Sequence, residues 1–225
     1  MTILRAFAIA LLLVASRPNA MPSRGGTVSG VVKLTEKVSK PVRPGRYPGE
    51  KAGGGEYLRG PAVVFIDGVK GPFEAPKKET MDQKGRQFGK LALPVLVGTR
   101  VEFPNGDDEY HQVFSNSKAK EMDLGRYAPG VVKEETFDKP GLVRLRCDIH
   151  KHMHAVILVL ENPKFATCDE QGRFSIKDVP PGTYKIYAFQ ENYEPKEAAA
   201  DPMRAVGQDL VVPATGDVTV QFDLR

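Results

Sequence analysis

Short runs in which apolar and polar side chains alternate recur along this chain, while no long stripe at the 3.6-residue helical period does. Residues 27–33 partly alternate and predict a first strand. Ala62-Val63-Val64-Phe65-Ile66 is a continuous apolar run closed by Asp67-Gly68, the pattern of a buried strand ending in a turn. Phe88, residues 91–97 and residues 101–103, interrupted by Gly98, predict two or three further strands, and residues 155–160 have the composition of another. Beyond residue 160, residues 169–176 and 179–186 alternate on either side of a proline turn, and residues 210–212 and 218–222 supply the last apolar runs. Two stretches break the pattern. Residues 34–60 carry Pro41, Pro44, Pro48 and Gly53-Gly54-Gly55 and predict a long mobile loop. Residues 118–130 are polar and punctuated by glycine, so a short helix or a loop is expected there. The fold class is all-β.

Composition supports that class, with 22 glycines and 18 prolines among 225 residues, a length that buries a good core in one or two domains. Arg5, the apolar run 6–15 and the small residues Ala15, Ser16 and Ala20 have the form of an export signal, with residues 1–20 removed. The run is too short to anchor the chain across a bilayer, and no other stretch is apolar enough to span one. The mature protein is therefore expected outside the cytoplasm, periplasmic or secreted. Net charge is +4, and loss of Arg5 and Arg17 with the signal leaves +2. That balance is too small to argue for nucleic acid, and no basic stripe interleaved with aromatics is present. Phosphate loops, nucleophile elbows and H-E-x-x-H helices are absent from the sequence, so an enzyme is not expected.

The chemistry concentrates in Cys147-Asp148-Ile149-His150-Lys151-His152-Met153-His154. A C-x-x-H-x-x-M spacing in a tight loop between two strands can bring a thiolate, an imidazole and a thioether to one point. His111 is the only histidine elsewhere in the chain and is the candidate fourth donor. Two imidazoles and a thiolate, with a weakly held axial thioether, form the set that a soft, redox-active copper ion prefers. His152 and His154 share a face with His150 if the segment is extended, which would allow a second metal site; as polar residues of a loop rim they need bind nothing. The two cysteines leave another reading open: in an exported chain they can form a Cys147–Cys168 disulfide. Asp169 and Glu170 lack the spacing of a calcium loop and read as a solvated turn.

Four pieces in order resemble the cupredoxins, the blue copper proteins that include plastocyanin and amicyanin. They are Val101-Glu102-Phe103-Pro104-Asn105-Gly106-Asp107, His111-Gln112-Val113-Phe114, the strand leading through Val143-Arg144-Leu145-Arg146 to Cys147, and the loop to Met153. The resemblance covers roughly residues 76–160 and implies a Greek-key β-sandwich holding one type 1 copper ion. His111, Cys147, His150 and Met153 would be its ligands and Asn105 a brace for the ligand loop. It also implies that a ring edge of His150 lies at the surface as the electron port, which Lys151 would make basic and suited to an acidic redox partner. Gln112 stands where the family usually has asparagine, and Ile149 and Lys151 where it often has prolines; those two replacements add backbone donors near the sulfur.

A second resemblance comes from the ends. Asp169-Glu170-Gln171-Gly172-Arg173-Phe174-Ser175-Ile176 and Val179-Pro180-Pro181-Gly182-Thr183-Tyr184 are similar to the carboxypeptidase regulatory-like domain, a transthyretin-like β-sandwich. Gly26 to Val32 and Ala62 to Ile66 look like its N-terminal half. This implies a split domain made of residues 27–72 and 161–225, with the cupredoxin part, 76–160, inserted between; one cupredoxin with extra strands at both ends is the simpler arrangement. Electron transfer between redox partners is the expected function. A copper carrier or storage protein, or a metal-free binding β-module stapled by Cys147–Cys168, remain as alternatives.

Overall fold

The computed structural model describes residues 25–34, 38–39, 56–57, 61–76, 78–191 and 200–224. The export signal, residues 1–20, and most of the proline- and glycine-rich stretch 34–60 lie outside them. Among the described residues the chain forms seventeen strands and one 3-10 turn, Pro202–Arg204, and no helix is long and apolar enough to cross a membrane.

The strands are β1 (Gly26–Leu34), β2 (Val38–Ser39), β3 (Glu56–Tyr57), β4 (Val63–Asp67), β5 (Glu79–Thr80), β6 (Ala92–Leu96), β7 (Thr99–Pro104), β8 (His111–Ser117) and β9 (Lys120–Tyr127). They continue as β10 (Val132–Phe137), β11 (Gly141–Arg146), β12 (His154–Leu160), β13 (Phe165–Thr167), β14 (Arg173–Val179), β15 (Gly182–Phe189), β16 (Gly207–Val212) and β17 (Val218–Leu224). A five-stranded sheet in the order β6-β12-β11-β8-β9 faces a three-stranded one, β10-β7-β5. Their inner faces bury one core, including Val101, Phe103, Val113, Phe137, Val143, Leu145, Cys147, Met153 and Ile157. The chain ends build two more sheets, β14-β1-β17 and β13-β4-β15-β16, around a separate core that includes Val28, Val64, Ile66, Cys168, Phe174, Ile186 and Phe222.

β4 and β12 carry uninterrupted apolar runs because each is buried on both faces. Ala155, Ile157 and Val159 of β12 enter the core behind Cys147, whereas Val156, Leu158 and Leu160 meet Val63 and Phe65 of β4 in a third cluster completed by Phe189 and Met203. That cluster joins the two pairs of sheets without a polar gap.

Three local expectations change. Residues 118–130 hold strand β9, neither helix nor open loop. Its inward residues Met122 and Tyr127 are five apart, an odd step that strict alternation would place on opposite faces. A register shift in the β8–β9 pairing, with Gly125 at φ +65°, restores the face and hides the strand from a period-two reading. The alternating segments on either side of Pro180-Pro181 do form strands, but they separate: β14 pairs with β1, and β15 with β4 and β16. The disulfide alternative fails, because Cys147 and Cys168 are both free and buried in different cores. Burial, helped by the neighbouring Asp169 charge, pushes the Cys168 thiol up to about 12, which keeps it protonated and inert as a small apolar side chain.

Candidate metal centre

The alternation of β8 turns His111, Val113 and Ser115 inward, and His111 is fully buried at the strand's first position. β11 does the same with Val143 and Leu145, so the next inward position past its end is Cys147. β11 and β12 are an antiparallel pair whose last rung is Arg146 opposite His154, and the loop between them, residues 147–153, carries the remaining candidates. The Met153 N–H donates to the His150 carbonyl at 2.9 Å, closing the loop and burying the thioether in the same core as Cys147.

These constraints bring together parts of the chain up to 39 residues apart. Cys147 Sγ lies 4.0 Å from His111 Nδ1 and 4.0 Å from His150 Nδ1, and the two Nδ1 atoms are 3.2 Å apart. A point equidistant from the corners of that triangle is about 2.2 Å from each, within the ~2.0–2.3 Å range of nitrogen and thiolate bonds to a first-row metal ion. His152 and His154 stand outside the group: His152 is exposed on the turn, and His154 Nδ1 donates to the His152 carbonyl at 2.8 Å.

Both imidazoles are held from behind. His111 Nε2 donates to Asp107 Oδ2 at 2.8 Å, and His150 Nε2 donates to Glu109 Oε2 at 3.1 Å. A proton held on each Nε2 leaves each Nδ1 as a bare lone pair. Two such lone pairs and a sulfur then face one another in a buried space, an arrangement that is repulsive until a cation sits among them. The residues present therefore fit a metal, and the pairing of one thiolate, two imidazoles and a nearby thioether fits copper.

Asn105, 2% exposed, ties down the loop that carries these carboxylates. Its Nδ2 donates to the Glu109 carbonyl at 2.8 Å and the Tyr127 carbonyl at 3.3 Å, and its Oδ1 accepts the Asp107 N–H at 3.1 Å. Burial raises the Asp107 carboxyl, but the amides of Arg86 and Gly85 and the His111 imidazole outweigh it and bring the value down to about 2. Glu109 is lowered chiefly by its hydrogen bond with the Arg86 guanidinium. Tyr127, opposite His111 in the β8–β9 pairing, is pushed up to about 12 by burial, so its hydroxyl stays neutral against Gln83.

Sequence reasoning missed Asp107 and Glu109. No period-two signal could have found them, because residues 107–109 bend between β7 and β8; Asn105, Asp107, Glu109 and His111 are nonetheless all at least partly buried while Asp108 and Tyr110 are exposed. The resemblance placed a ring edge of His150 at the surface; the side chain keeps 13% exposure, and its outer nitrogen meets Glu109.

No family model and no curated protein matches this sequence. Among solved structures the chain is similar to a copper-containing nitrite reductase from Thermus scotoductus SA-01, at 27% identity and a TM-score of 0.37, over 43% of this chain and 25% of that one. It is also similar to a reduced amicyanin mutant, at 19% identity and 0.36, over 43% of this chain and 98% of that one. A third is a purple cupredoxin from Nitrosopumilus maritimus, at 19% identity and 0.33, over 38% of this chain and all of that one. The match thus spans a quarter of the nitrite reductase and nearly the whole of the other two, and it involves less than half of this chain.

Proposed function

We propose that this chain is an exported type 1 copper protein that carries single electrons between redox partners. The observation that supports the reading most is the buried triangle of Cys147 Sγ, His111 Nδ1 and His150 Nδ1, with edges of 4.0, 4.0 and 3.2 Å. His111 and His150 would supply the two nitrogens, Cys147 the thiolate and most of the electronic coupling, and Met153 a more weakly held thioether sulfur. Copper bound there supplies a one-electron Cu(II)/Cu(I) couple. The protein's part is to hold the donors still. His111 sits on β8 and Cys147 at the end of β11, in a sheet whose inner face is close-packed, so the pocket keeps one shape in both charge states. Little rearrangement means a small barrier to electron exchange.

The two sheets of the chain ends support a second part of the proposal: residues 27–72 and 161–225 form a split, transthyretin-like sandwich, with the copper domain inserted between its halves. Export to the periplasm or exterior rests on residues 1–20, and an acidic partner rests on the exposed Lys151 beside His150.

The test is the visible spectrum of the mature protein on adding equimolar Cu(II). An intense blue or green thiolate-to-copper band is expected, and Cys147→Ser should abolish it. No band at equimolar copper sinks the reading. A band accompanied by rapid metal loss to a chelator, with no electron exchange with any partner, points to a carrier or storage protein.

A further inference from the structure

Residues 83–88 form a turn, bridged at its ends by Gln83 and Phe88, that takes no part in the donor set yet touches both groups behind it. The N–H of Gly85 donates to Asp107 Oδ1 at 2.6 Å and the N–H of Arg86 to Asp107 Oδ2 at 2.8 Å. The Arg86 guanidinium grips Glu109, its Nε lying 3.1 and 3.2 Å from the two carboxylate oxygens and its Nη2 pairing with Oε1. Asp107 in turn holds His111, and Glu109 holds His150. The turn itself is fixed to the carboxylate loop: the Gly106 N–H donates to the Gln83 carbonyl at 2.9 Å, and Lys84 Nζ to the Gly106 carbonyl at 2.7 Å. A Cβ at position 106 would stand 2.9 Å from that Gln83 oxygen, so the approach requires glycine. Arg86 adopts φ +57°, a left-handed conformation that an arginine rarely takes. A strained residue whose amide and guanidinium serve two different carboxylates is the kind of local cost found where geometry is needed.

We propose that this turn is the organiser of the metal pocket, with Asp107, Glu109 and Arg86 as positioning residues that aim both imidazoles at one point. The proposal rests on the copper reading above and goes beyond it by assigning residues that touch no metal. Each histidine has its proton kept on Nε2 and its ring plane fixed by a carboxylate, so both Nδ1 lone pairs are ready before the metal arrives. Arg86 keeps Glu109 turned toward His150, and the outward side of that imidazole is covered by an ion pair. Arg86 is 54% exposed, so a redox partner approaching His150 meets the guanidinium and Glu109 first.

The experiment compares Glu109→Ala, Glu109→Gln and Arg86→Gly with the wild-type mature protein. Copper(I) affinity is measured by competition with a coloured chelator, and the ring nitrogens of His150 are followed in metal-free protein by 15N NMR. Glu109→Ala should weaken copper binding about ten- to a hundredfold. In the metal-free variant the His150 proton should distribute over both nitrogens, whereas wild type keeps it on Nε2. Glu109→Gln, which still accepts a hydrogen bond, should recover most of the affinity. Arg86→Gly suits the left-handed backbone and keeps both amides on Asp107, so it should lose only a few-fold. An affinity within twofold of wild type in Glu109→Ala, with an unchanged nitrogen pattern, overturns the proposal. So does a loss of affinity that comes with a lower melting temperature of the metal-free protein and an unchanged pattern, since that is a general structural effect. If wild type takes up no copper, the functional reading falls as well.

Discussion

Asp107 carries a charge that the metal-free fold needs. Its ordinary value is 3.8 and its folded value about 2, so the folded state binds the proton less readily than the unfolded chain. A lowered carboxylate contributes stability that is complete above the unfolded value and is lost as pH falls through the folded one. The window here runs from about pH 4 down to about pH 2. With a side chain 11% exposed, the contribution is on the order of 1–2 kcal/mol after allowance for residual solvent. Asp107→Asn should therefore destabilise the metal-free protein by about that amount at pH 7, and urea titrations should show the gap closing as pH approaches 2. The four proposed donors could be picked out of the sequence because three of them lie in one seven-residue loop, where spacing alone fixes what can meet. Asp107, Glu109 and Arg86 were not, because their roles depend on a left-handed turn 21 to 23 residues upstream of the carboxylates, and although Gly85 suggests its positive φ of +64°, nothing announces that Arg86 follows it at +57°.

At the scale of elements, the strands legible in the sequence are those where period two holds over most of their length, such as β14, whose Phe174 and Ile176 face the core while Arg173, Ser175 and Lys177 face solvent before Asp178, at φ +55°, shifts the phase to Val179. β9 was illegible because a bulge resets its phase in mid-strand. The turn leading into β14 shows how much one residue can decide. Asp169 Oδ1 accepts the N–H groups of Gln171 and Arg173, and Gly172 sits at φ +75° with its N–H on the Asp169 carbonyl at 2.9 Å. A Cβ there would stand 2.0 Å from the Val32 carbonyl oxygen, which also accepts no relief by rotation of a side chain because it is backbone. Gly172→Ala combines left-handed strain with that overlap and should cost about 1–3 kcal/mol or more, read as a lower denaturation midpoint. Its neighbours Val32 and Phe174 belong to the core of Cys168, a different one from that of Cys147, so the thiolate band of copper-loaded protein should be unchanged.

For the whole molecule, the question is whether the two pairs of sheets behave as one body. Had they been joined only by linkers, β4 and β12 would each show an exposed face; both are buried throughout their middles, and Val63, Phe65, Val156, Leu158 and Leu160 share one cluster. The 3-10 turn reinforces it: Met203 is 1% exposed within that cluster, and Arg204 reaches Asp67 at 2.5 Å and Asp201 at 2.5 Å while lying over the rings of Phe65 and Tyr187 at 5.6 and 5.8 Å. Burial lowers the Arg204 guanidinium's tendency to stay charged, but the two carboxylates outweigh it and raise its value above that of an ordinary arginine. The sequence showed two apolar runs and could not show that they face each other, since a strand buried by its own sandwich and one buried between two sandwiches have the same composition. The metal-free mature protein should accordingly unfold in a single calorimetric transition, with calorimetric and van 't Hoff enthalpies in agreement. Leu158→Ala opens a cavity in the shared cluster and should lower that transition by the equivalent of about 2–5 kcal/mol without touching the core that holds Cys147. Two resolved transitions in wild type, with Leu158→Ala moving only one of them, would mean that the two pairs of sheets fold independently and that the cluster between them is mere contact.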